Sequence, residues 1–274
     1  MGRIETINSH YAGYDEDVRL DTRWGMLEEA TTWKYIDSAI THIQCGNREK
    51  TLDIIDLGAG TGRYSLTLAG LGHRVVAVDL VEGNLDILRR NASASGIQLE
   101  VKRGDATDLQ KYPDSSFDVV LCLGPLYHLF DDDSINRAIS EASRICRPGG
   151  FVLFAYLTQD SIMISYFLRH NCLEEGIKTN RIEEGFRPRA HEDEIFVGFY
   201  IPEFLERMEK TAPELEMTAN AATDGIAPSM REYIEALSDE AFDIWREYHL
   251  ATCERRELQG FSNHMLWSGR KKQS

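Results

Sequence analysis

The chain has 274 residues, enough to bury a full hydrophobic core in one α/β domain with an added cap. Its net charge of −15 disfavours a nucleic-acid backbone as the main partner, because phosphate binding needs clustered Lys and Arg. Five scattered cysteines without a CxxC pair favour a reducing compartment, and neither a signal peptide nor an apolar run of bilayer length is visible. We therefore expect a cytoplasmic protein without a membrane span.

The first part of the chain predicts a helical cap. From Thr22 onward, apolar residues recur at spacings of three and four until Cys45 and Gly46 interrupt the pattern. This periodicity is typical of one long amphipathic helix whose apolar face packs on a core. We expect residues 1–46 to form this N-terminal cap.

Residues 47–157 alternate short apolar runs with helical patterns. The apolar runs predict five strands at 51–57, 74–80, 99–103, 117–123 and 151–157. Asp133 is expected to cap the helix that precedes the fifth strand. This alternation predicts a doubly wound parallel sheet, in which the carboxyl ends of the strands share one edge and ligands bind at that edge.

The segment TLDIIDLGAGTG, residues 51–62, combines the first strand with a glycine-rich turn and the start of a helix. Glycine permits positive φ and lets a ligand lie directly on the backbone, and the helix offers free N–H groups. The dinucleotide fingerprint would require Gly or Ala where this chain has Arg63. The spacing therefore disfavours NAD.

Acidic residues or loops follow the successive strands, namely Asp56, Asp79, Asp105 and the turn 123–125. In this order the sequence resembles the class I S-adenosylmethionine-dependent methyltransferases. The segments that carry the resemblance are DLGAGTGRYS (56–65), VVAVDL (75–80), GDATDL (104–109), FDVVLCLGPLYHL (117–129) and RICRPGG (144–150). The resemblance covers about residues 50–157 well and the final strand, SNHMLWSGRK, more weakly.

The resemblance implies S-adenosyl-L-methionine as cofactor and gives roles to ten residues. Gly58, Ala59 and Gly60 would lie against the methionine part, and Asp56 would orient its ammonium group through the loop. Asp79 would bind both ribose hydroxyls. The remaining roles are packing on the adenine for Leu80, hydrogen bonds to the adenine for Asp105 and Ala106, and contact beside the sulfonium for Leu123 and Gly124. Asp56 and Asp105 remain open to a second interpretation, in which they only stabilise their turns.

Tyr127 and His128 are the candidate catalytic residues, because they lie just past the fourth strand. His128 would act as a base or position the acceptor, and Tyr127 would line its pocket; the competing interpretation of His128 is a loop histidine bonded to backbone. Relatives that methylate nucleobase or glutamine amines carry Asn or Asp followed by Pro-Pro here, unlike this chain. The charged segment 191–194 lacks metal-ligand spacing, so no metal site is expected.

Residues 158–274 are expected to supply a lid insertion and to complete the sheet. A strand near 263–270 would be antiparallel, as the family implies, giving seven mostly parallel strands in a Rossmann-like fold. Tyr11, Tyr14 and Arg19 precede the long helix, in a segment that folds over the cofactor in some relatives. The function implied is methyl transfer to a small molecule. The alternatives are a non-catalytic S-adenosylmethionine sensor and an NAD(P) oxidoreductase, and the oligomeric state is open.

Overall fold

The centre of the molecule is one large sheet. The computed structural model describes residues 19–188 and 196–273. Its main strands are β1 (Asp53–Leu57), β2 (Arg74–Asp79), β3 (Glu100–Arg103), β4 (Phe117–Cys122), β5 (Cys146–Thr158), β9 (Leu215–Ala222) and β10 (His264–Lys271). They lie side by side in the order β3-β2-β1-β4-β5-β10-β9. The five strands predicted for the core are all present, and β5 begins five residues earlier than its apolar run.

Strand directions agree with the prediction of a mostly parallel sheet. Strands β1 to β5 pair in parallel, whereas β10 pairs antiparallel with both β5 and β9. The first residue of β10, His264, lies opposite Leu157 near the end of β5. Because β10 runs against its neighbours, its beginning lies at the edge where the parallel strands end.

Helices cover both faces of this sheet. They are α1 (Arg23–Gln44), α2 (Arg63–Gly70), α3 (Glu82–Ser95), α4 (Asp132–Ile145), α5 (Gln159–Ile162), α6 (Leu173–Lys178), α7 (Ile201–Thr211), α8 (Arg231–Glu235), α9 (Asp239–Thr252) and α10 (Arg256–Gln259). A π-helical turn, Met163–Leu168, continues α5, and short 3₁₀ turns occupy Pro125–His128 and Ala227–Ser229. The region 230–256 is divided among α8, α9 and the start of α10.

Two helix starts show how local chemistry sets the boundaries. The Thr22 side chain accepts the Gly25 N–H at 3.1 Å, so α1 begins where the periodic pattern begins. The prediction that Asp133 caps α4 was wrong. Asp131 is the cap and accepts the Ser134 N–H at 2.8 Å, because a cap side chain must stand before the first helical residue to reach the third.

The hydrophobic core lies in two layers, one on each face of the sheet. On one face, α4 and α7 pack on alternate strand residues such as Ile55, Val120 and Phe154. On the other face, α1 and α2 pack on the intervening residues, including Ile54 and Leu121. Both sides of the central strands are therefore buried, which explains their nearly continuous apolar sequences.

The insertion after β5 leaves and rejoins the sheet at one place. The two-residue strand β8 (Gly198–Phe199) pairs in parallel with Leu157 and Thr158, the residues that end β5. A small hairpin, β6 (Ile182–Glu183) with β7 (Arg187–Pro188), belongs to the same insertion. The insertion therefore begins and ends at the carboxyl edge of the sheet.

Every helix within residues 19–188 and 196–273 is too short or too polar to cross a lipid bilayer.

Candidate functional site

The candidate site is a line of loops along the carboxyl edge of the sheet, and the glycine turn after β1 is its centre. Gly58 N and Ala59 N donate to Val78 O at 2.8 and 3.0 Å, which ties the turn to β2. Gly58 and Gly60 have φ values of 76° and 55°, so both need the left-handed conformation. A Cβ on Gly60 would meet no atom within 4 Å, so the backbone here faces open space that a ligand can fill.

The neighbouring glycines serve packing within the protein. A Cβ on Gly58 would lie 2.8 Å from Pro125 Cδ, and one on Gly62 would lie 2.8 Å from Leu88 Cγ. The position where a dinucleotide fingerprint needs a small residue is held by Arg63, which pairs with Glu29 of α1 at 2.9 Å. The turn is thus anchored to α1, α3 and the loop after β4, and Gly60 remains open for a ligand.

Asp79, at the end of β2, lies directly against the glycine turn. Its Oδ2 accepts the Gly60 N–H and its Oδ1 accepts the Val81 N–H, both at 2.8 Å. Burial raises the pKa of this carboxyl, although both N–H groups oppose the change. Asn84 Nδ2 also lies 3.5 Å from Oδ1, a long contact that a ribose hydroxyl could replace, and Oδ2 has a second lone pair for the other hydroxyl of a diol. The donor set therefore fits a ribose.

Asp56, at the end of β1, is buried behind the turn. Its Oδ2 accepts the Ser65 hydroxyl at 2.6 Å, which links β1 to α2. Burial raises the pKa of Asp56 to about 6, and the nearby charge of Asp79 adds to the rise. The turn-stabilising role left open for Asp56 is therefore present, and its action on a ligand through the loop stays a prediction.

The residues after β2 and β3 continue the line. Gly104 N donates to Asp79 O at 3.0 Å, which brings the ends of the two strands together. Asp105 is exposed, and its Oδ1 accepts the Thr107 N–H and hydroxyl at 2.8 and 2.9 Å. The turn-stabilising role left open for Asp105 is therefore present, and its role toward adenine stays a prediction, as do those of the half-buried Leu80 and the buried Ala106.

The loop after β4 closes the other side of the glycine turn. A Cβ on Gly124 would lie 3.9 Å from Gly58 O and 3.5 Å from Tyr127 Oη. The Tyr127 hydroxyl donates to Leu123 O at 3.0 Å. Leu123, Gly124 and Tyr127 therefore stand together beside the turn, where the sequence places them.

Aromatic rings extend from this loop toward the insertion. Tyr127 lies with its ring centroid 5.0 Å from that of His128 and 5.9 Å from that of Phe196. The Val197 N–H donates to Tyr127 O at 2.8 Å, so the returning end of the insertion is fixed to this turn. His128 packs on Phe196 with centroids 5.2 Å apart. The predicted catalytic pair thus forms part of an aromatic wall, and its catalytic role stays a prediction.

A buried charged cluster beside Tyr127 was missed by the sequence analysis. It consists of Glu28 on α1, Asp224 after β9 and His264 at the start of β10, and its ligand atoms lie within 4.8 Å of one another. The His264 ring centroid is 6.4 Å from that of Tyr127. The sequence signal for Asp224 is its position two residues after β9, since Asp56 and Asp79 also lie at the ends of strands.

Arg19, which precedes the long helix, binds Glu28 of this cluster with two hydrogen bonds of 2.6 and 3.0 Å. Tyr11, Tyr14 and the charged segment 191–194 lie outside the described residues. All five cysteines are free thiols.

Comparison with known proteins identifies the same region. A family model described as "Methyltransferase domain" matches residues 54–150. A malonyl-[acyl-carrier protein] O-methyltransferase of Yersinia pestis is 35% identical over 120 residues, which cover 44% of this chain and 42% of the relative. A ubiquinone biosynthesis O-methyltransferase of Thiobacillus denitrificans is 31% identical over 159 residues, covering 58% and 62%. The matches thus span less than two thirds of these relatives.

Solved structures share the fold over more of the chain. A S-adenosylmethionine-dependent methyltransferase of Methanosarcina mazei aligns with a TM-score of 0.55 at 18% identity, over 84% of this chain and 97% of that one. A magnesium protoporphyrin IX methyltransferase of Synechocystis PCC 6803, solved with bound SAH, aligns with a TM-score of 0.54 at 13% identity, over 90% and 87%. Residues 54–150 thus match a methyltransferase domain, and the chain around them has the fold of S-adenosylmethionine-dependent methyltransferases.

Proposed function

We propose that the chain transfers a methyl group from S-adenosyl-L-methionine to a small-molecule acceptor. The observation that carries this proposal is the unbroken edge from Asp105 through Asp79 and the glycine turn to Tyr127, with open space above Gly60. Asp79 would hold the ribose and the turn would hold the methionine part. The cofactor, when bound, supplies an activated methyl group whose transfer leaves a neutral thioether.

The protein's own contribution is positioning and exclusion of water, because the methyl donor is already activated. The returning end of the insertion is fixed to Tyr127 O through the Val197 N–H, which supports a role of the insertion as a cover for the acceptor. We therefore propose that residues 158–197 act as the lid and α1 as the cap. A small acceptor is supported by this enclosure and by the net charge of −15, which opposes nucleic acid. Both sequence relatives are named O-methyltransferases, which supports oxygen as the methylated atom.

Calorimetric titration with S-adenosylhomocysteine tests the proposal directly. We expect saturable binding at one site per chain and no binding of NAD under the same conditions. Absence of S-adenosylhomocysteine binding, in a preparation with a cooperative thermal unfolding transition, would refute the function.

Substitution of Gly60 by Asn tests the site itself. Asn tolerates the left-handed conformation, so the turn should persist while the side chain enters the space above it. We expect S-adenosylhomocysteine affinity to fall at least ~10-fold, which corresponds to about 1.4 kcal/mol. Gly46→Asn is the matched control, since Gly46 also has a positive φ of 87° and nothing within 4 Å of its Cβ position. Equal affinities in the two variants would place the ligand elsewhere.

A further inference from the structure

The cluster of Glu28, Asp224 and His264 lies on the same edge as the proposed cofactor site. Asp224 follows β9, which runs parallel to β5, and His264 opens the antiparallel β10 opposite Leu157. Both residues therefore reach the carboxyl edge of the sheet from the side opposite Asp79. Tyr127 stands between them and the glycine turn, because it contacts Leu123 through its hydroxyl and His264 with its ring.

Asp224 is a rigid partner for the imidazole of His264. Its Oδ1 accepts three donors, the Ser262 hydroxyl at 2.6 Å and the N–H groups of Asn263 and His264 at 2.9 and 3.1 Å. Its Oδ2 lies 2.7 Å from His264 Nδ1. A carboxylate oxygen only accepts, so Nδ1 carries the proton and Nε2 of the neutral ring has a lone pair.

The remaining nitrogen of His264 is available to a ligand. No hydrogen bond joins Nε2 to any residue within 19–188 or 196–273. The His264 side chain keeps 19% of its exposed area, whereas that of Asp224 keeps none. The ring is thus held from the buried side and open on the other, which is the arrangement of an oriented base.

A metal ion is a poorer occupant of this cluster. Both oxygens of Glu28 already accept from the Arg19 guanidinium, and Oδ1 of Asp224 is saturated by three donors. Burial alone would raise the pKa of Glu28, but the charges of Arg19 and His264 outweigh it and lower this pKa to about 2. Glu28 is therefore a charged group already neutralised by Arg19, and a cation would have to compete with this ion pair for the carboxylate.

We propose that His264 is the base that accepts the proton of a phenolic acceptor, with Asp224 as its positioning residue. This inference rests on the methyltransferase function proposed above. As the acceptor oxygen forms its bond to the methyl carbon, its proton passes to His264 Nε2. The electron pair of the broken carbon–sulfur bond stays on sulfur. The resulting imidazolium is stabilised by the carboxylates of Asp224 and Glu28, at 2.7 and 3.5 Å from Nδ1.

The phenolic class follows from the wall beside the base. The rings of Tyr127, His128 and Phe196 lie with centroids 5.0 to 5.9 Å apart, and Tyr127 joins them to His264 at 6.4 Å. Offset and edge-to-face contacts of this kind favour a planar aromatic guest. A phenol has a pKa near 10 and is mostly un-ionised at neutral pH, so its methylation benefits from a base.

Charged groups around the ring set the pH at which it can act. The groups that face it among the described residues are Glu28, Arg19, Asp224 and Tyr127, with Arg63 behind Glu28. Burial alone would lower the pKa of His264, but Glu28 and Asp224 outweigh burial and Arg19 and raise it. The neutral, proton-accepting ring therefore predominates only above the ordinary histidine pKa of about 6.5.

The test compares two phenols that differ in their need for a base. Catechol is mostly un-ionised at pH 8.5, whereas 4-nitrophenol is largely ionised at that pH. We expect the full chain to methylate both, and His264→Gln to lose at least ~100-fold in kcat/KM with catechol but less than ~10-fold with 4-nitrophenol. His42→Gln, on the exposed side of α1, is the control and should match the wild type with both phenols.

Each outcome decides the inference. Equal losses of His264→Gln with the two phenols would show a structural role and overturn it, as would a wild type that binds S-adenosylhomocysteine but methylates neither phenol. A wild type that fails to bind S-adenosylhomocysteine would instead refute the underlying function. In Asp224→Asn, the acid limb of the catechol pH profile should move to lower pH, because a carboxylate that raises the pKa of His264 is lost; an unmoved limb would refute the pairing.

Discussion

Replacement of Asp79 by Ala is expected to weaken S-adenosylhomocysteine binding by at least ~100-fold. Two hydrogen bonds from ribose hydroxyls to a carboxylate contribute about 1.5–3 kcal/mol each, and each 1.4 kcal/mol corresponds to about tenfold in affinity. The variant also removes the acceptor of the Gly60 N–H, which holds the glycine turn at 2.8 Å. Isothermal titration calorimetry at fixed pH measures the change.

A second variant separates the two contributions. Asp79→Asn can still accept the Gly60 N–H but loses the charge, so we expect an intermediate affinity. Asp86→Ala is the control, because Asp86 lies exposed on α3 and pairs only with Arg89 of that helix among the described residues. Unchanged affinity in Asp79→Ala would mean that the ribose does not bind at the end of β2.

Replacement of Asp56 by Asn is expected to stabilise the fold at pH 8 by about 1–2 kcal/mol. Burial raises the pKa of Asp56 from 3.8 to about 6, so its ionised form costs the folded state about 3 kcal/mol. Asn keeps the acceptor for the Ser65 hydroxyl but leaves a buried NH₂ group without a hydrogen-bond partner, which offsets part of the gain in stability.

We expect S-adenosylhomocysteine affinity to fall about tenfold in the same variant, since Asp56 supports the turn on which the ligand is proposed to rest.

The pH dependence gives the sign of this effect. Because the folded-state pKa is raised, stability from Asp56 is fully present below about pH 4 and is lost as pH rises through about 6. The advantage of Asp56→Asn in urea unfolding should therefore be present at pH 8 and absent at pH 4. Asp37→Asn, exposed on α1, should show no difference at either pH. An advantage that is independent of pH would contradict an ionised, buried Asp56.

The parallel half of the fold was predictable because its strands are buried on both faces. Sequences such as FDVVLC and RVVAVD have few polar positions, so their apolar runs locate β4 and β2 to within one or two residues. Strand ends then placed Asp56, Asp79 and the turn before Tyr127 on one edge. The apolar run did not indicate that β5 already begins at Cys146, which pairs with Phe117 of β4 and precedes the RPGG segment.

The charged cluster could not be found from local pattern. Glu28, Asp224 and His264 come from three distant parts of the chain, and only the strand order β5-β10-β9 brings them together. Because β10 is antiparallel, its first residue, His264, lies at the edge where the parallel strands end. A site residue on this strand therefore stands at the start of the strand and not after its end. Similarly, three consecutive aspartates span the cap and first two residues of α4, and composition alone does not say that Asp131 is the one whose side chain reaches Ser134.

The insertion returns to the sheet through β8, beside the strand end from which it left. Thr158 and Phe199 are ladder partners, so the forty residues between them form a loop whose ends the sheet itself holds together. Lengthening such a loop costs little, because closure entropy grows only slowly with length. Under the proposed function, acceptor choice would diversify by exchange or extension of this segment, without a change in strand register or in the edge proposed to bind the methyl donor.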